Sequence, residues 1–298
     1  MLVLKTKFQK VSRVEFAPDG RGLAAAGKHG TYWWPSAFEN PKPTRFGENE
    51  CGGIGFSADG SYLIALHQGY GVCSIDLTHH TQQFSRVGKF GSTLAVCHAT
   101  GLAVVESWTG GSMSGWRVGL GGHPDKTWEL DAAPGSIGAS IAFAADGSWF
   151  VRAGRNPSYT PAYVLVRHDS ASGREIDSSP GGEWVSCGPV ISPDGMWVAF
   201  GSAATLFAKN ITRPERSNST HNENSHQFTD IAFHPSGHYL AATNNDATVK
   251  LYDTTSWQVA RTYTWDIGRM RSIAFSPDGT LAAAGSDTGK VVVWDVDV

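Results

Sequence analysis

A five-residue turn recurs along this chain at a near-constant interval, and that interval limits the folds open to it. Phe275-Ser276-Pro277-Asp278-Gly279 is the clearest copy. Pro presets φ for the turn and Gly accepts φ > 0. The others are Phe16 to Gly20, Phe56 to Gly60, the degenerate Cys97 to Gly101, Phe143 to Gly147, Ile191 to Gly195 and Phe233 to Gly237. Their final glycines are separated by 40, 41, 46, 48, 42 and 42 residues. Seven copies at this period cover nearly all 298 residues, so a single domain over 1–298 is expected, with no room for a second.

Each turn is flanked by strand-like runs. Ile273-Ala274-Phe275 precedes the last turn, Leu281 to Gly285 follows it, and Ser286 to Gly289 turns again into Val291 to Asp295. The second strand recurs as Leu23 to Ala26, Tyr62 to Ala65, Leu102 to Val105, Trp149 to Val151, Trp197 to Phe200 and Tyr239 to Ala242. Third strands such as Val72 to Asp76, Val164 to Asp169 and Val249 to Asp253 end in aspartate. A more polar fourth strand, such as Trp257 to Arg261, leads into the next copy. Four strands per 40 to 48 residues is the pattern of a propeller blade. The fold class expected is all-β: a seven-bladed β-propeller of four-stranded antiparallel blades.

The strings Phe-Ser-Pro-Asp-Gly, Leu-Ala-Ala-Ala-Gly, Asp-Thr-Gly and Val-Val-Val-Trp-Asp in the last copy resemble the WD-repeat β-propellers. Copies six and seven match best, copies three and four worst. One departure stands out. The family often carries a Gly-His dipeptide ahead of strand one, whose His joins the turn Asp and strand Trp in a buried network. No copy here has it at that place, although Asp287 and Trp294 are present. The network is therefore not expected as a whole. The resemblance further implies that an N-terminal strand completes the last blade. An edge argument agrees: the last copy reaches only a third strand, and Leu2 to Phe8 is a spare strand that would cover its edge.

In such a meander the Asp-Gly turns lie on one face of the disc. The strand two–three loops and the interblade connections lie on the other. That second face collects His29, Tyr70, Trp108, Arg155 and Tyr159 from loops, and Trp184, Trp265 and Arg269 from connections. Loop aromatics and arginines are the residue types of binding hot spots. Two longer stretches, Arg155 to Pro161 and Arg213 to Gln227, are either recognition elements or drift. The function expected is a non-catalytic scaffold or adaptor that binds a protein or peptide on this face as a monomeric disc.

Composition narrows the alternatives. Net charge is −3 and charged residues are 17%, which offers no electrostatic footprint for nucleic acid or an anionic membrane. No apolar window approaches a membrane span, and the N-terminus lacks a signal-peptide core. Cys51, Cys73, Cys97 and Cys187 are scattered without metal-ligand spacing and are expected to be reduced. Together these features favour the cytoplasm, which is the location expected.

Catalytic patterns are sparse. Asp287-Thr288-Gly289 matches an aspartic-protease string, but that chemistry needs two such carboxylates and this one falls in a blade turn. The turn aspartates Asp19, Asp59, Asp146, Asp194 and Asp278 occupy one repeat position and are read as structural, as are the strand-end aspartates Asp76, Asp169, Asp253 and Asp295. Neither the His79/His80, His221/His226 nor His234/His238 pair supplies the three or four ligands of a zinc site. Gly119 to Gly122 precedes no helix and so lacks the context of a phosphate cradle. No cofactor or metal is expected. The enzymatic alternative is a propeller lactonase or esterase holding a metal over the central channel, with Glu50, Glu183, Asp230 and His226 as candidate ligands.

Overall fold

The computed structural model describes the chain apart from residues 8, 40–41, 69–70, 88–90, 108–111, 132–136, 156–162, 183–184, 214, 224 and 298. Its strands form seven four-stranded antiparallel sheets, each one blade of a β-propeller. The single helical element among the described residues is a 3-10 turn at Leu120–Gly122, and no described helix is long and apolar enough to cross a membrane.

Contacts divide the chain into two compact units, residues 1–48 with 186–298, and residues 49–185. The first unit holds four blades. Blade one is Val11–Phe16, Leu23–Gly27, Gly30–Trp34 and Thr44–Phe46. Blade five is Cys187–Ile191, Trp197–Ser202, Thr205–Asn210 and Ser217–His221. Blade six is Phe228–Phe233, Tyr239–Asn244, Thr248–Asp253 and Val259–Thr264. Blade seven is Met270–Phe275, Leu281–Ser286 and Lys290–Asp295, with Leu2–Lys5 as its fourth strand. Strand one packs on strand one from blade five to six, six to seven and seven to one.

The second unit holds three blades. Blade two is Cys51–Phe56, Tyr62–His67, Gly71–Asp76 and Gln82–Ser85. Blade three is Gly91–Val96, Ala103–Ser107, Met113–Val118 and Pro124–Leu130. Blade four is Ile137–Phe143, Trp149–Arg155, Tyr163–Asp169 and Glu175–Gly182. Strand one again packs on strand one, from blade two to three and three to four.

The repeat turn takes the same form in every blade. All seven of its glycines have φ between 66° and 75°, the left-handed region that a side chain would strain. The aspartate before five of them accepts the amide two residues on, at 2.9–3.0 Å. These bonds hold the carboxyls of Asp59, Asp146 and Asp278 below the usual range. The leading donor is the Ser57 hydroxyl at Asp59, the Ser148 amide at Asp146 and the Ser276 hydroxyl at Asp278. Asp76, Asp169 and Asp253 cap the turns after strand three in the same way, each accepting an amide three residues on at 2.7–2.9 Å.

The N-terminal closure forms as expected. Leu2–Lys5 pairs antiparallel with Lys290–Asp295, Leu4 opposite Val291. Leu4 is buried in the apolar cluster shared by blades seven and one. The amide and hydroxyl of Thr6 both donate to the Gly289 carbonyl, at 3.0 and 2.8 Å.

Two expectations are corrected. Strand four of blade six starts at Val259, not Trp257. The Asp253 cap bends the chain so that Trp257 takes a φ of 57°, donates its amide to the Asp253 carbonyl and buries its indole. The stretch Arg213 to Gln227 is not simply an extended loop, since Ser217–His221 is strand four of blade five. An outer strand needs no apolar face to complete the ladder, so hydrophobic patterning hides it. Gly121 and Gly122, likewise, offer their carbonyls to Gln83 and Ser74 of blade two.

Candidate functional site

Polar side chains concentrate near the starts of strand one, and a backbone irregularity places them. In all seven blades strand one carries one extra residue against strand two at that point, a bulge that redirects the following side chain. In blade six the residue after the bulge is Asp230, which is 6% exposed. Both its carboxylate oxygens lie 3.3 Å from Nη1 of Arg13 in blade one, and one accepts the Ile273 amide of blade seven at 3.1 Å. One carboxylate thus ties three consecutive blades. Burial pushes the Asp230 carboxyl above the usual range, and Arg13 and the Ile273 amide oppose that rise.

A second set stands beside it. Arg271 donates to Asn245 Oδ1 at 3.0 Å and lies 3.5 Å from the Asp287 carboxylate. Asp287 also accepts the Arg269 amide at 3.0 Å and returns its own amide to the Arg269 carbonyl at 2.9 Å. This fixes the backbone of Arg269 while its side chain stays exposed. Asp287 is therefore a clamp on the connection between blades six and seven. The Asp–His–Trp network does not form in the two best repeats: Trp294 Nε1 and Tyr252 Oη are buried without a hydrogen-bond partner among the described residues.

Four of the sequence-derived candidates can be placed. Trp265 is half-buried, stacks on Tyr263 at 5.7 Å and 5°, and lies 4.5 Å from the Trp294 ring. Most of its surface is thus interblade packing. Arg269, four residues on, and His29, in the loop between strands two and three of blade one, are exposed. The His29 carbonyl accepts from Arg45 Nε at 3.1 Å. Arg155 ends strand two of blade four and is exposed. Trp108, Tyr159, Tyr70 and Trp184 lie outside the described residues. The structure brings Trp265 and Arg269 to one connection, and Arg155 belongs to the other compact unit.

Of the candidate metal ligands, Asp230 is committed to Arg13 and Ile273, Glu50 and His226 are exposed, and Glu183 lies outside the described residues. Among the described residues no three His, Cys, Asp or Glu side chains gather as a metal site would require. The four cysteines are free and buried, and burial pushes the Cys73 and Cys187 thiols up to about 12.

The internal pairs were missed by sequence reasoning. Arg152 of blade four donates through Nε at 2.8 Å, and through Nη2, to Oε1 of Glu106 in blade three, and both residues are buried. The available signal was a charge inside an apolar strand-two run, Val104-Val105-Glu106 and Phe150-Val151-Arg152.

Comparison with known proteins bears on the repeats directly. A sequence profile described as "WD domain, G-beta repeat" matches residues 214–253 and 259–295. Pre-mRNA-processing factor 19 homolog 2 of Arabidopsis thaliana is 24% identical over 229 residues, 76% of this chain and 38% of the relative. Human serine-threonine kinase receptor-associated protein is 30% identical over 105 residues, 35% of this chain and 27% of the relative. The meiotic recombination protein rec14 of Schizosaccharomyces pombe is 28% identical over 114 residues, 38% of this chain and 36% of the relative. The chain spans well under two thirds of the length of each. The matched stretches fall in blades five to seven, where the chain is similar to WD repeats, and the seven four-stranded antiparallel blades give it the β-propeller architecture.

Proposed function

We propose that this chain is a non-catalytic interaction module that binds a protein or peptide, as a monomer, through its strand two–three loops and interblade connections. One observation carries the reading. Arg269 projects to solvent from a backbone locked in both directions to Asp287, four residues after the Trp265–Trp294 aromatic pair. A fixed main chain at an exposed arginine spares the backbone part of the ordering cost of binding, and arginine is a hot-spot residue type. Arg13, Arg152 and Arg271, by contrast, are held by partners within the fold. The printed name of one relative describes it as receptor-associated, and a binding role for this chain accords with that. Four free, buried thiols fit a reducing compartment, and the cytoplasm is the location proposed.

The test compares proteins retained by the wild-type chain with those retained by a variant carrying Arg155→Ala, Tyr159→Ala and Arg269→Ala. The expected result is loss of specific capture at an unchanged melting temperature. Capture that survives all three substitutions would remove these loops from the binding surface.

A further inference from the structure

The opposite end of the blades, where the Asp-Gly turns lie, carries a cleft that the proposed interaction surface does not use. It lies between blades five and six and has a volume of about 220 Å³. Ser192, Asp194, Trp197, Phe233, Gly237 and Trp257 line it.

The next interface of the same unit shows what such a slot holds. Between blades six and seven the residue equivalent to Ser192 is His234. Its ring fills the space, 5.1 Å from Phe275 and 6.3 Å from Tyr239, at interplanar angles of 81° and 84°. Nε2 donates to the Gly279 carbonyl at 2.9 Å, and Nδ1 accepts the Ser236 amide at 3.1 Å beside the Ser236 hydroxyl at 2.8 Å. The repeat sets Phe275 in correspondence with Phe233, Tyr239 with Trp197, Gly279 with Gly237, and Ser236 with Asp194. The cleft between blades five and six thus has the walls of the His234 slot but a serine where the plug would be. It differs in one further respect: a carboxylate stands where the plug's second nitrogen met a serine. Oδ1 of Asp194 takes the Met196 amide at 2.9 Å and the Ser192 hydroxyl.

We propose that this cleft binds the guanidinium of an arginine side chain presented by a partner peptide. A planar group with N–H donors at both ends can meet the Gly237 carbonyl at one end and the Asp194 carboxylate at the other. The carboxylate selects a cation, and the half-buried indole of Trp197, with the buried Trp257 lining the same cleft, offers the aromatic surface on which guanidinium stacks better than ammonium. The Gly237 carbonyl already accepts the Thr254 hydroxyl at 2.8 Å and retains a second lone pair.

The full chain, labelled with ¹⁵N at tryptophan, is titrated with acetyl-Gly-Arg-Gly-amide and with its lysine and citrulline counterparts. The Trp197 and Trp257 indole signals are assigned from Trp→Phe variants. The arginine peptide is expected to shift both signals saturably, with the lysine peptide weaker and the citrulline peptide weaker still. Asp194→Asn, which keeps the turn acceptor, is expected to weaken binding about tenfold, the value of one charge-assisted hydrogen bond. Ser192→His copies the blade-six plug and is expected to shift the Trp197 signal by itself and abolish binding. Citrulline binding as tightly as arginine, or an arginine peptide that moves neither indole, overturns the proposal. Free arginine binding more tightly than the peptide also overturns it, by reassigning the cleft to a small metabolite.

Discussion

His168 makes the stability of its blade depend on pH, and the effect can be worked from its surroundings. It lies in strand three of blade four and is 9% exposed. Its ring stacks on Phe150 at 4.9 Å and 9°, and Phe150 in turn stacks on Trp128 at 6.3 Å and 2°. Nδ1 lies 2.9 Å from the Gly173 carbonyl, so Nδ1 carries the proton of the neutral ring. Nε2 is buried with no partner among the described residues, and a second proton there would find no acceptor. Burial lowers the imidazole from 6.5 to about 4, Arg152 adds to the fall, and the Gly173 carbonyl opposes it.

A histidine lowered in the folded state is protonated first in the unfolded chain. Its contribution is therefore complete above the unfolded value and is lost as pH falls from 6.5 toward about 4. Integrating the linkage between those values gives a loss of about 2 kcal/mol from about pH 7 to about pH 5, and about 3 kcal/mol by about pH 4. Aspartates titrate at the low end as well, so the informative quantity is a difference of differences. Urea unfolding at about pH 7 and about pH 5 is compared for the wild type and His168→Asn, whose Nδ2 can reach the Gly173 carbonyl in place of Nδ1. The variant is less stable at both values because the ring stack is gone. The wild type is expected to lose about 2 kcal/mol more than the variant on acidification. Equal losses would refute the reasoning, as would a His168 ring signal in NMR that titrates near 6.5.

The remaining expectations concern the joints between strands and blades. Glu106→Ala removes the carboxylate that takes both Nε and Nη2 of buried Arg152 and should cost about 3–5 kcal/mol, whereas Glu106→Leu with Arg152→Met restores most of it; a single variant as stable as the double in urea would show that the pair is not strongly coupled. Deleting residues 1–8 uncovers the edge of Lys290–Asp295 and removes buried Leu4, so light scattering should detect aggregation and the melting temperature should fall. A truncated chain that stays monomeric and melts unchanged would rule out that closure as a source of stability.

Much of the fold was legible from residues close together in the chain. A turn is decided by four or five residues: Asp278 accepts the amide two residues on, and Gly279 donates its own amide to the Ser276 carbonyl three residues back. That is why the ladder of glycines predicts seven blades and why every one of them takes a positive φ. Strand alternation is equally local, and the exceptions have local causes: the Asp253 cap delays strand four of blade six, and a polar outer strand hides in Ser217–His221. The N-terminal closure was legible because an uncovered strand edge is costly and Leu2 to Phe8 was the unassigned strand.

What joins the blades was decided only in three dimensions. Asp230 reads as a candidate metal ligand in sequence. It becomes a link between blades six, seven and one because a bulge turns it toward Ile273 and Arg13, the latter 217 positions away. Trp265 reads as a binding aromatic, yet most of its surface lies against Tyr263 and Trp294. The open cleft at Ser192 and the filled slot at His234 occupy the same repeat position in neighbouring interfaces, and only the packing of neighbouring turns shows that the histidine is a plug. Local turn chemistry repeats with the sequence. The contacts between blades depend on which side chains meet across the repeat, and a pattern read along one chain does not carry that information.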